Sequence, residues 1–199
     1  MDSHKEFFNI SAAPVKTFLD TVDIVLNSNT FLLKFYIHSN NVSESLFSFL
    51  KSESFIDQLA QQDKDRDWYL FHDFDNDTDR YKLKQGNILK DKINLQVINS
   101  EFNGREYLIA MLTGDMSKGL FYSYYSSQVE REIAETIVDD MLLYLIKGNQ
   151  WELSIYQPDF LKDSTNDNIR YFEGSGGNNN ASVIKYKKTG FLLLTNGAD

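Results

Sequence analysis

The sequence predicts an α+β fold, a mixed and mostly antiparallel sheet with about three main helices packed on it. Three observations predict it. Apolar residues recur at helical spacing over residues 15–26 and 129–145, period-two stretches lie between and after these, and clusters of turn residues separate them. With 199 residues and 42% hydrophobic content the chain can bury one substantial core, so residues 1–199 are expected to form a single α+β domain. Its 15 Phe and 11 Tyr are too many for a disordered chain, and 2 Pro with 10 Gly exclude long linkers.

Ser11-Ala12-Ala13-Pro14 reads as a helix start, because Pro in the first turn loses no needed hydrogen bond. Val15, Phe18, Leu19, Val22, Val25 and Leu26 then form one stripe to about Asn27. From Thr30 to His38 the period changes. Phe31, Leu33, Phe35 and Ile37 share one strand face while Leu32 and Tyr36 keep the other partly apolar, the pattern of a strand covered on both sides.

Ser43 to about Gln61 is expected to be helical, with Leu46, Phe47, Leu50, Phe55, Ile56 and Leu59 available for burial. Ser52 divides it, since Ser52-Glu53-Ser54-Phe55 is itself a helix start. Trp68 to Phe74 is strand-like, and residues 30–74 fit one βαβ crossover. A hairpin is expected next. Ile93, Leu95 and Val97 alternate on one arm (Ile93–Glu101) and Tyr107, Ile109 and Met111 on the other (Arg105–Thr113), around Asn103-Gly104, both of which tolerate positive φ.

Ser127-Gln128-Val129-Glu130 has the form of a capping box. Val129, Ile133, Ile137, Met141 and Leu145 continue it as a stripe, widened by Ala134 and Tyr144, and Lys147-Gly148 suits a left-handed end. Trp151, Leu153 and Ile155 then alternate as a strand up to Pro158. Ile169–Glu173, Ala181–Lys187 and Phe191–Thr195 follow as short strands, the first two separated by a Gly/Asn loop at 174–180.

Charge narrows the function. Twenty Lys and Arg against 29 Asp and Glu leave a net charge of −9, which repels nucleic-acid phosphates and anionic lipids, so neither nucleic acid nor membrane is expected as a partner. Without Cys there is no disulfide, thiolate metal site or cysteine nucleophile. The first residues show no basic region followed by an apolar run, and no apolar run approaches a membrane span, so a cytoplasmic location is expected.

The most unusual stretch runs from Asp63 to Asp79. Asp63, Asp65, Asp67, Asp73, Asp75, Asp77 and Asp79 face only Lys64 and Arg66, a local net charge of −5. Like charges ~4–6 Å apart repel even in a water-like dielectric, so a partner that relieves them has an energetic opening. A basic protein surface, a divalent cation or plain solvation of Asp-rich turns would each serve. An EF-hand loop is excluded, because frames from Asp73 or Asp75 place Thr78 or Arg80 where Gly is needed, and Lys84 or Gly86 where Glu is needed.

His4, His38 and His72 have no i+4 partner, Gly174-Ser175-Gly176 is not a nucleophile elbow, and the Gly/Asn loop lacks a phosphate-binding ending. Tyr122, Tyr124 and Tyr125 offer amphipathic interface anchors or, equally, core rings. Arg80, Lys82 and Lys84 are expected to pair with the nearby aspartates.

The expected function is therefore a non-enzymatic acidic module with no catalytic residue and no cofactor. It would dock on a basic protein partner through the seven aspartates and three tyrosines, as an inhibitor or immunity protein does on a basic toxin such as a nuclease. The alternative is a hydrolase with a dispersed Asp/Glu/His site, and a third reading is a structural subunit with an apolar exposed patch.

Overall fold

The computed structural model describes residues 9–39, 41–66, 96–97, 104–114, 128–147, 151–156 and 180–197. Helix α1 (Ala13–Leu26) carries Pro14 in its first turn and buries all six stripe residues, Val15, Phe18, Leu19, Val22, Val25 and Leu26. Asn27 ends it in the left-handed conformation (φ 46°), donating its N–H to the Asp23 carbonyl. Strand β1 (Ser28–Tyr36) follows at once. Helix α2 (Val42–Leu50) is capped by Asn41, whose side chain accepts the Glu44 N–H at 3.3 Å, two residues before the Ser43 that the sequence suggests. Ser52 divides α2 from α3 (Glu53–Asp65) as expected, accepting the Phe55 N–H and donating to the Phe49 carbonyl.

The remaining elements are β2 (Gln96–Val97), α4 (Gly104–Thr113), α5 (Arg131–Leu145), β3 (Glu152–Tyr156), β4 (Asn180–Tyr186) and β5 (Thr189–Gly197). The strands lie in the order β1-β5-β4-β3-β2, and every described pair is antiparallel. The fold is α+β. Five helices are described instead of about three, because Ser52 splits one region and residues 104–113 form a further helix. The second strand of the supposed βαβ unit, Trp68–Phe74, lies outside the described residues, and the described partner of β1 is the antiparallel β5.

Both faces of the sheet are covered. Leu32, Leu153, Ile184, Phe191 and Leu193 pack against α1, α4 and α5. Phe31, Leu33, Phe35, Ala181, Val183, Leu192 and Leu194 pack against α2 and α3. Burial on two sides explains why β1 and β5 are apolar at successive positions, as the sequence of β1 implies. At the end of β1, Phe35 lies opposite Gly190 and its ring occupies the space a Cβ would need there. The same ring stacks on Phe49 with centroids 5.2 Å apart.

The expected hairpin is not formed. Gly104–Thr113 is helix, and Gln96–Val97 pairs with β3. Tyr107, Leu108, Ile109, Ala110, Met111 and Leu112 are all buried. An uninterrupted apolar run has no polar positions to mark its period, so the alternation of Tyr107, Ile109 and Met111 was incidental. Gly104 serves a different purpose here. A Cβ on it would stand 2.7 Å from Leu153 Cβ and 2.8 Å from the Trp151 ring, so its lack of a side chain lets α4 approach β3. The tight hairpin connects β4 and β5 instead, through Lys187 (φ 54°) and Lys188.

Helix α5 also departs from expectation. Glu130, not Ser127, holds the N-cap position and makes no side-chain cap, and Ser127 lies outside the described residues. The Val129 N–H donates to the Leu112 carbonyl at the end of α4, which keeps residues 128–130 out of the helix. The helix ends at Leu145 with Ile146 extended and buried, before the Lys147-Gly148 end that the sequence suggests, and Gly148 lies outside the described residues. Its inner face is Ala134, Val138, Met141, Leu142 and Leu145, while Ile133 is exposed and Ile137 half-buried. Among the described residues no helix is long and apolar enough to cross a membrane.

Candidate functional site

Helix α3 closes the outer edge of β1 with two glutamines. Gln58 accepts the Lys34 N–H at 2.7 Å and donates to the Lys34 carbonyl at 2.9 Å. Gln62 accepts the Leu32 N–H at 3.1 Å and donates to the Leu32 carbonyl at 2.7 Å. The match is geometric. Four helical residues rise ~6 Å and two strand residues ~6.7 Å, so amides at i and i+4 of a helix meet backbone groups at i and i+2 of a strand. The side-chain amides thus take the place of a neighbouring strand, and an otherwise open edge is satisfied.

The C-terminal end of α3 is tied to α1. Arg66 bonds Asp20 Oδ1 at 3.0 Å and also Asp23 Oδ2. Burial pushes the Asp23 carboxyl up to about 7, while the Arg66 guanidinium and the hydroxyl and N–H of Thr30 pull it back.

Beside this junction lies a pocket of about 380 Å³, lined by Asn9, Ile10, Lys34, Gln58, Gln61, Gln62 and Asp65. Its amides are largely engaged within the protein: Gln58 and Gln62 on β1, Gln61 on Asp65 at 2.7 Å, and Asn9 Oδ1 on the Ser11 N–H. Asp65 is its carboxylate. It is exposed, at the negative end of the α3 dipole, where a cation is favoured. Among the described residues no group of three or more His, Asp or Glu is placed to share a metal ion.

Of the ten residues expected at the partner surface, two are described. Asp65 is exposed, but Asp63 is buried at 5% exposure, on the same inner face as Ile56 and Leu59, and is withdrawn from any exposed docking surface. The spacing of 63 from 56 and 59 carried that signal, and the density of aspartates obscured it. Asp67, Asp73, Asp75, Asp77, Asp79, Tyr122, Tyr124 and Tyr125 lie outside the described residues, as do His4, His72, Arg80, Lys82 and Lys84. His38 is exposed, and its backbone N–H bonds the Ser45 hydroxyl at 3.2 Å.

A second charged region joins α4 to α5. Arg105 grips Asp139 through two bonds of 2.7 and 2.8 Å, and Arg131 bridges Glu106 at 2.6 Å and Glu135 at 2.8 Å. The Arg105 bonds hold the Asp139 carboxyl below its usual range. This flank of α5 is internally ion-paired, with two arginines shared among the three carboxylates Glu106, Glu135 and Asp139.

No protein-family model matches the chain, and no curated protein and no solved structure is significantly similar to it.

Proposed function

We propose that the chain is a non-enzymatic, acidic protein-binding module that docks on a basic protein partner. It would act as an inhibitor or immunity protein does when it occludes a basic toxin such as a nuclease, whose cleft must be positive to hold phosphate. The observation that carries the reading is Asp65. It is an exposed carboxylate at the C-terminal end of α3, inside the stretch 63–79 whose net charge is −5. Gln61 donates to Asp65 Oδ1 at 2.7 Å, which orients the carboxylate, and its exposure lets it also receive a partner's Lys or Arg.

Neutralising Asp65, Asp73, Asp75, Asp77 and Asp79 to Asn tests the reading; Asp63 is spared because it is buried. Association with a purified basic partner should slow, and its dependence on salt should flatten, because long-range steering depends on those charges. Unchanged rates and an unchanged salt slope would remove the segment from the interface. Substrate turnover by the purified protein alone would favour the hydrolase reading.

A further inference from the structure

The outward face of α5 combines exposed apolar side chains with unneutralised acids. Of five large hydrophobic side chains exposed among the described residues, three lie on this helix: Ile133 at 51%, Leu143 at 76% and Tyr144 at 38%. At 100° per residue they fall within one third of the helix circumference, and Asp140 lies between Leu143 and Ile133 on that arc. Glu132 is also exposed on this side. The acids on the adjoining flank, Glu135 and Asp139, are bound by Arg131 and Arg105. The acids of α5 are thus ion-paired where the helix meets α4, whereas among the described residues Glu132 and Asp140 have no such pair.

We infer that this face of α5 is a docking surface for a basic protein partner with an apolar recess, the apolar side chains seating in the recess and Glu132 and Asp140 meeting its cations. The inference rests on the reading of the chain as a binder of basic protein, but it names a surface separate from residues 63–79. Charge selects the occupant. A second copy would set Glu132 and Asp140 against their own kind, and an anionic bilayer would be repelled, whereas a basic surface relieves the acids as the apolar residues leave water. A desolvated apolar core within a polar rim is the usual anatomy of such a contact.

A photo-crosslinking amino acid placed at Leu143 of the full chain tests this in the native cell extract, with Ile24, 69% exposed on α1, as the control position. The expected result is an adduct with one basic protein from position 143 and not from 24. That protein, purified, should bind Leu143→Ala and Asp140→Lys variants about tenfold or more weakly, the size of effect that a true anchor shows. These positions are exposed, so unchanged melting temperatures should accompany the loss.

An adduct with a second copy or with an acidic protein overturns the inference. So does a basic partner that binds both variants like the parent chain, which would leave the broader reading intact. No basic partner from either position, with none recovered by direct capture, overturns both.

Discussion

Gln62 holds both backbone groups of Leu32, accepting its N–H at 3.1 Å and donating to its carbonyl at 2.7 Å, so that a side chain completes the edge of the sheet. Gln62 is 3% exposed and Leu32 is fully buried, so water cannot replace these bonds. Gln62→Leu should destabilise the protein by about 2 kcal/mol or more, the cost of leaving a buried N–H and C=O unmatched. Gln58→Ala should cost less, because its bonds to Lys34 are only part-buried. Urea titration of the two variants checks the order, and equal losses would refute it.

Close approach to glycine makes the next prediction. Gly190→Ala places a Cβ in the Phe35 ring, which is itself held by its stack on Phe49, so the ring cannot move without disturbing α2. The expected loss is about 1–3 kcal/mol, as for overpacking in a well-filled core. A melting temperature within one degree of the parent would show that the ring yields freely.

Asp23 sets a pH dependence. Its carboxyl is raised to about 7 chiefly by burial, against an ordinary value of 3.8. Between about pH 4 and 7 the folded chain holds a proton that the unfolded chain has lost, so this group's contribution is complete below pH 4 and is lost as pH rises through 7. Asp23→Asn should therefore flatten the fall in stability over that window. The check is chemical denaturation of both proteins at pH 4.5 and 7.5, where an identical pH difference would contradict the assignment.

The rotation of α5 is tested by two truncations. Met141 is fully buried, and Met141→Ala should cost about 2–5 kcal/mol. Ile133 is half-exposed and should tolerate alanine within about 0.5 kcal/mol, as surface positions do. The stripe inferred from sequence would have both positions buried, so comparable losses would restore it.

Within the candidate site, sequence spacing located the acidic stretch but not how a helix would divide it. Asp63 and Asp65 are two residues apart on α3, about 200° around the helix, and so one is buried with Ile56 and Leu59 while the other meets solvent. Gln58 and Gln62 were invisible as functional polar groups, because their meaning depends on an edge strand 24 to 30 residues away.

The sequence by itself determined α1, β1, the division at Ser52 and the strands β3 to β5, since each is marked by a cap, a turn or a period with polar positions on at least one side. Only the tertiary structure decided that residues 104–113 are helix and that α5 turns Ile133 outward. In the first case six consecutive buried apolar residues carry no phase that distinguishes a helix from a strand. In the second, the apolar residues of α5 exceed one face, and the side that is buried was set by packing against α1 and α4 and by the ion pairs Asp139–Arg105 and Arg131–Glu106, whose partners on α4 lie 34 and 25 residues away along the chain.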